Sequence, residues 1–166
     1  MLSIIVTMAN NNSIGKDGQA IWHLPEDWKR FRKLTEGKTV IMGRNTFESL
    51  KEILPNRKYV VLCSSGKLKS DNPNVKVISG THELEGYADS EEESFVIGGG
   101  IVYRILLSHA DKMYVTKINH DFDGNIFFPE IDENDWEMIS KEKGITNEEN
   151  PYEYEFITYK RRNKAN

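Results

Sequence analysis

The segment Ile21 to Leu34, IWHLPEDWKRFRKL, sets two acids side by side, Glu26 and Asp27, just after a proline that suits the first position of a helix. On a wheel advancing about 100° per residue from Leu24, the charged residues Arg32, Lys29, Lys33, Glu26 and Arg30 fan over roughly 80° to 240°. Leu34, Phe31 and Trp28 occupy the remaining arc, and Asp27 falls among them at about 300°. Glu26 already complements the helix dipole from the polar side. A carboxylate on the apolar arc loses hydration, which is costly unless donors or a cation replace the water. Asp27 therefore reads either as a second dipole partner or as an acid reserved for a ligand.

Further chemistry-bearing residues sit where strands give way to helices or loops. In KTVIMGRNTFESL, Gly43 ends a strand and Asn45 and Thr46 open a helix, leaving backbone N–H groups, the Arg44 guanidinium and the Thr46 hydroxyl to meet an anion. SFVIGGGIVYRILL repeats the arrangement with Gly98, Gly99 and Gly100, consecutive glycines that fit a tight bend or a close backbone approach. It is not the usual dinucleotide fingerprint, because the third glycine would fall on Tyr103. YVVLCSSGK ends a strand with Cys63, Ser64 and Ser65, small donors that suit a phosphate or a plain loop. Each turn read singly is also an ordinary loop. Together, at the carboxyl ends of parallel strands, they suggest an extended phosphate-bearing cofactor. No G-x-x-x-x-G-K-[ST] occurs, which disfavours a P-loop kinase or GTPase.

The elements that must hold these groups follow from periodicity and turn residues. Strands are predicted at Ser3–Met8, Thr39–Met42, Tyr59–Cys63, Val75–Ser79, Ser94–Ile97 and Lys112–Ile118, with helices near Pro25–Leu34, Asn45–Leu50 and Ile101–Leu107. Helices between strands imply right-handed crossovers and parallel neighbours. Trp136–Glu142 and Tyr152–Lys160 alternate around GITNEENP and predict a terminal antiparallel hairpin. The fold class is α/β: a single domain spanning 1–166, with a mixed, mostly parallel central sheet flanked by helices and a C-terminal antiparallel hairpin. Asp89–Glu93, DSEEE, reads as a solvated acidic turn.

Composition narrows the function classes. A chain of 166 residues, 38% hydrophobic and 29% charged, can bury one sizeable core, and no window approaches the ~18 apolar residues of a membrane span. The apolar start, MLSIIVTMANNN, lacks a basic leader and reads as a buried strand, so a soluble cytoplasmic protein is expected. Cys63 is the sole cysteine, which excludes an internal disulfide and a multi-thiolate metal site. With four scattered histidines, no metal centre is expected. The net charge of −4 argues against a general nucleic-acid surface.

The combination resembles dihydrofolate reductases of the bacterial chromosomal type over nearly the whole chain. The parts that carry the resemblance are IIVTMA, IG followed by WHLPEDWKRF, VIMGRNTFESL, LPNRKYVVLCSS, FVIGGGIVY, MYVTKI and DGNIFFP, in the family's order and spacing. The resemblance implies hydride transfer from NADPH to the pterin ring of dihydrofolate, with a proton delivered to the neighbouring ring nitrogen. It further implies antifolate inhibitors as ligands, a monomer, and no nucleic-acid or membrane partner. Asp27 matches the family's only ionisable residue in the pterin pocket, accepting paired hydrogen bonds from the 2-amino group and adjacent ring nitrogen. Thr116 matches the hydroxyl that supports this pair, and Trp22 the residue that holds an ordered water.

By the same matching, Ile5, Trp28, Phe31, Leu50, Leu54 and Ile97 surround the pterin and benzoyl rings, and Thr7, Ile14 and Gly15 lie on the nicotinamide side. As sequence alone, most of these are equally core residues. Arg57 matches the arginine that forks to the substrate's α-carboxylate. Gly43, Arg44, Asn45, Thr46, Leu62, Cys63 and Ser64 match positions near the cofactor phosphates, and Gly98, Gly99, Gly100, Ile101, Val102 and Tyr103 those bordering nicotinamide, ribose and pyrophosphate. ANNNSIGKDGQAIW corresponds to the family's active-site lid.

The chain also departs from the family pattern. Lys51, Glu52 and Ile53 stand where Gly-Arg-Pro is usual, Asn56 replaces a glycine, Asn125 an acid, and Ile101 an arginine, while Ala20 and Ile21 replace a larger apolar residue and a proline. Rival readings are a pterin or pyrimidine reductase acting on another ring, and a non-catalytic nucleotide-binding module. Asp27 together with Arg57 favours folate.

Overall fold

A computed structural model describes residues 1–16 and 22–162. The chain begins with β1 (Leu2–Ala9), whose residues are buried on both faces, the pattern of a strand central to a covered parallel sheet. After a turn at Asn12 (φ 63°) comes β2 (Ser13–Gly15). Pro25 then starts α1 (Pro25–Thr35), which runs into β3 (Thr39–Gly43), α2 (Arg44–Ser49), β4 (Lys58–Leu62) and β5 (Val75–Ile78). A 3₁₀ turn (Thr81–Leu84) precedes α3 (Glu85–Asp89), followed by β6 (Ser94–Gly98) and α4 (Gly100–Leu106). A second 3₁₀ turn (Leu107–His109) leads to β7 (Ala110–Ile118), and β8 (Ile126–Phe127), β9 (Trp136–Lys143) and β10 (Tyr154–Arg161) complete the chain.

The main sheet has eight strands in the order β5-β4-β3-β6-β1-β7-β10-β9. From β5 through β7 every pairing is parallel, and β10 joins β7 antiparallel before pairing antiparallel with β9. The carboxyl ends of β4, β3, β6, β1 and β7 therefore lie along one rim in that order. One layer of the core packs Ile4, Val6, Met8, Ile41, Val96 and Met113 under α4, and another packs Val40, Met42, Tyr59, Val61 and Phe95 with Phe31 and Leu34 of α1. The edge strand β9 is exposed along nearly its whole length, and Glu137, Lys141, Glu142 and Lys143 oppose edge-to-edge pairing.

Every predicted element exists, with ends displaced by a residue or two. The second predicted strand of the hairpin begins at Tyr154 rather than Tyr152, because the Tyr152 ring packs against His120 (5.2 Å) and Phe122 (5.1 Å). The small β2–β8 sheet and the α3 turn were not anticipated. DSEEE is more than a solvated turn: the amino terminus donates to the carbonyls of Tyr87 and Glu92, and Glu93 accepts from Ser3 Oγ at 2.5 Å and from Tyr114 at 3.2 Å.

The first half of the expected lid is fastened to the DGNIFF segment. Asn125 N–H donates to Gly15 O (3.0 Å) and Phe128 N–H to Asn12 O (2.9 Å), while Lys16 pairs with Asp123 at 3.2 Å. Asn125 thus holds this loop through its main chain, which the replacement of an acid leaves intact. Ala20 and Ile21, with the rest of 17–21, lie outside the described residues.

Candidate active site

Asp27 lies in the first turn of α1, aimed at the rim between β1 and β7. Thr7 and Thr116 are register partners on these two parallel strands, so both side chains emerge on the same face beside each other. Each reaches a different oxygen of the carboxylate: Thr7 Oγ1 donates to Oδ2 at 2.5 Å and Thr116 Oγ1 to Oδ1 at 2.6 Å. Loss of hydration is the largest influence on this acid and raises its pKa above the ordinary aspartate range; the hydroxyls of Thr116 and Thr7 and the Arg30 cation pull the other way. The position expected from the helical wheel and the partner expected in Thr116 are both present. Thr7, expected on the nicotinamide side, commits its hydroxyl to Asp27.

Arg30 departs from the polar fan where the wheel puts it. Its guanidinium lies 4.3 Å from the Phe156 ring centroid and 5.9 Å from that of Tyr114, and burial lowers its pKa against the opposing pull of Asp27 and Glu142. A long basic side chain can lay its stem on apolar surface in this way. Tyr103 is 5% exposed and donates to Ile5 O at 2.7 Å; burial, then the negative charge of Asp27, raises its phenol's pKa.

α1 is fixed at both ends by distant residues. At its start no side chain of the flanking residues caps it. Instead Glu26 N–H donates to Asn150 Oδ1 at 3.1 Å, and Asn150, fully buried, is itself held by Asn147 Oδ1 at 2.7 and 3.0 Å. At the far end Arg57, only 8% exposed, donates from Nε to Thr35 Oγ1 (2.9 Å), from Nη1 to Pro55 O (2.6 Å) and from Nη2 to Arg32 O. A guanidinium has five N–H donors, so each terminal nitrogen keeps one N–H for a further acceptor. Asn56 adopts φ 58°, the left-handed turn its side chain tolerates in place of glycine, and returns the chain past α1 through Gly37 N–H to Asn56 O at 2.8 Å.

The other expected substrate residues divide by exposure. Trp28 is 43% exposed and stacks on Phe31, with centroids 5.1 Å apart and planes at 18°. Phe31, Leu50, Ile5 and Ile97 are partly buried around one apolar cluster. Leu54 is a core residue at 3% exposure, and its N–H donates to Tyr59 Oη at 2.9 Å. Trp22 packs against Phe122 with centroids 5.3 Å apart.

The expected cofactor turns end three adjacent strands, β4, β3 and β6. A Cβ on Gly43 would stand 3.1 Å from Val102 Cγ2 and 3.9 Å from Gly98 O and Gly99 N, so the end of β3 packs tightly on the Val102 side chain and lies beside the turn after β6. Gly98 has φ +125°, a conformation side chains rarely adopt, and the Gly98–Gly99 peptide is cis. Gly99 caps α4, accepting from Tyr103 N–H at 2.9 Å, and its own Cβ position lies 3.4 Å from Thr46 Oγ1. Gly100 opens α4, whose Val102 is buried while Ile101 stands 71% exposed.

Arg44, Asn45 and Ser64 are exposed along this rim, Thr46 and Leu62 partly so. Arg44 Nε pairs with Glu48 at 2.9 Å. Cys63 is buried, its thiol 3.3 Å from Ser65 Oγ; that hydroxyl first, then the N–H groups of Leu68, Lys67 and Ser65, lower its pKa to about 7. Ile14 packs against the α4-side core and Gly15 is buried in β2. The structure thus brings Asp27, Thr7, Thr116, Ile5 and Tyr103 to one point, with the phosphate-type turns further along the same rim. Arg30 and Asn150 were missed by sequence reasoning.

Known proteins similar to this chain in sequence and in fold share one description. The sequence model described as dihydrofolate reductase matches residues 1–161. A dihydrofolate reductase of Bacillus subtilis (strain 168) is 44% identical over 165 residues, 99% of this chain and 97% of that protein. One from Staphylococcus haemolyticus is 38% identical over 163 residues, covering 96% and 95%. A solved dihydrofolate reductase from Enterococcus faecalis, complexed with NADP(H) and RAB-propyl, superposes with a TM-score of 0.90 at 36% identity, covering 98% of this chain and 97% of that one.

Proposed function

Because the chain belongs to the dihydrofolate reductase family and reduces dihydrofolate to tetrahydrofolate with NADPH, we propose that the Asp27 carboxylate is the group that seats and polarises the pterin. One observation carries this reading. A carboxylate offers about four lone-pair sites. Thr7 and Thr116 occupy one on each oxygen, leaving one on each for the planar pair of N–H donors on a pterin edge. The partly exposed faces of Ile5, Phe31, Leu50 and Ile97 suit the flat rings, and the stacked Trp28 extends that surface. The two spare N–H groups of Arg57 suit a forked carboxylate contact.

The rim residues fit NADPH. The Val102 side chain crowds Gly43, and the φ of +125° at Gly98 disfavours any side chain there, while Arg44, Thr46 and Ser64 offer a cation and hydroxyls to phosphates. NADPH supplies the hydride that forms the new ring C–H bond. Asp27 holds the ring and stabilises its protonated form, the adjacent ring nitrogen taking up a proton from solvent. The apolar walls exclude bulk water from the transfer. Retention of both Asp27 and Arg57 supports folate over another pterin or a pyrimidine. The reading includes one domain over the chain, a monomer, competition by antifolates and no nucleic-acid or membrane partner; among the described residues no helix is long and apolar enough to cross a membrane.

The test is NADPH oxidation with dihydrofolate and, separately, with a pterin lacking the glutamate. Wild-type protein oxidises NADPH with dihydrofolate, and Asp27→Asn loses at least about 100-fold in turnover at neutral pH while still binding NADPH. Full turnover in Asp27→Asn would move the pterin-binding role elsewhere.

A further inference from the structure

Thr7 is the residue at this site whose observed duty differs most from its expected one. Its hydroxyl meets Asp27 because β1 and β7 pair in a register that sets residue 7 directly opposite residue 116. The two hydroxyls approach different oxygens, at 2.5 and 2.6 Å, so together they fix the rotation of the carboxylate about its last bond, which one alone would leave free. We propose that Thr7 is a positioning residue for pterin reduction: paired with Thr116, its hydroxyl sets the plane of the Asp27 carboxylate and favours the acceptor-only form, so that β1 as well as β7 governs the pH range of the reaction. This rests on Asp27 being the pterin-binding acid.

The chemistry follows from hydrogen inventory. An ionised carboxylate accepts from both hydroxyls at once. When Asp27 takes a proton, its O–H must donate, and one threonine must turn its hydrogen away from the acid. Two donors make protonation harder than one does. Every group that faces Asp27 enters this balance. Arg30 on α1 favours the ionised form through its positive charge, while Tyr103 on α4 and Tyr154 on β10 are phenols that carry no charge at neutral pH. Val at position 7 would keep the branched shape and remove only the donor; Ser would keep the donor.

The experiment compares Thr7→Val, Thr7→Ser and Asp27→Asn with wild type. The Asp27 carboxyl is titrated by carbon-13 NMR in the ligand-free protein, its resonance assigned by its disappearance in Asp27→Asn, and the pH profile of turnover is measured alongside. Thr7→Val moves the Asp27 midpoint upward by about one pH unit and carries the turnover profile with it, and Thr7→Ser returns both to within ~0.3 unit of wild type. If Thr7→Val fails to fold by circular dichroism, Thr7→Ala takes its place with the same expected shift. A midpoint that stays put without the hydroxyl, or a Ser variant as displaced as the Val variant, overturns the proposal even though Asp27→Asn is inactive. Full activity in Asp27→Asn overturns the underlying assignment instead.

Discussion

The cost of holding Asp27 out of water gives a prediction in which activity and stability move in opposite directions. Burial raises the folded-state pKa of this acid, so between the unfolded value, about 3.9, and the folded one the native state binds the extra proton. Stability from this residue is therefore fully present below the unfolded pKa and is lost as pH rises through the folded pKa, at about 1.4 kcal/mol for each unit separating the two. Asparagine removes that loss without orphaning its neighbours, since Oδ1 accepts from one hydroxyl while Nδ2 donates to the other. The hydroxyls and Arg30 oppose the penalty without cancelling it, so above the folded pKa Asp27→Asn is more stable than wild type, each ~1.4 kcal/mol of gain reading as roughly 3–6 °C in Tm for a chain of this size. Urea unfolding followed by circular dichroism, repeated from pH 4 to pH 8, reads the difference directly. The gain should vanish near pH 4 and reach a plateau above the folded pKa. A difference independent of pH, or an asparagine variant less stable at pH 8, refutes the reasoning, because the carboxylate would then not be penalised by its surroundings.

Arg57→Lys cannot serve Thr35, Pro55 and Arg32 and still present a fork, so KM for dihydrofolate rises ~100-fold with little change in kcat, and a pterin without glutamate is unaffected. Arg44→Ala raises KM for NADPH by about tenfold or more and leaves NADH nearly unchanged, whereas Glu48→Gln, which frees Arg44 from its ion pair, lowers KM for NADPH about twofold; equal effects on both cofactors would place recognition of the 2′-phosphate elsewhere. Asn150→Ala removes the acceptor for the first turn of α1 and costs ~1 kcal/mol, read by calorimetry as a fall of roughly 2–4 °C; an unchanged Tm would mean that water serves as well.

The parts of this protein legible in its sequence are those whose cause is local. β1, β3 and β6 are near-continuous apolar runs because helices and loops cover both faces of the sheet, and each strand was found within a residue or two. Asp27 declared itself as a charge on the wrong arc of a short amphipathic helix, and the glycine turns by their composition. What escaped depends on contacts between distant segments. β2 and β8 have three and two residues, too few for any period to register. The wheel gives Arg30 to solvent because it cannot see the Phe156 ring that β10 brings over α1. Thr7 acquires its duty from a register 109 positions down the chain, and no spacing within β1 announces it. The same holds for Asn150, an unremarkable polar residue in a loop until the hairpin delivers it to Glu26.

That last contact orders events during synthesis. A nascent chain that has emerged only to residue 140 already contains β1, β7 and the acid itself, but the amide of Glu26 lacks the acceptor that closes its helix, which lies 124 residues further on. The first turn of α1 therefore gains this acceptor only once the 144–153 loop has been translated. A proteolytic nick in that loop would loosen the first turn of the helix that carries the acid, by the same ~1 kcal/mol that Asn150→Ala costs.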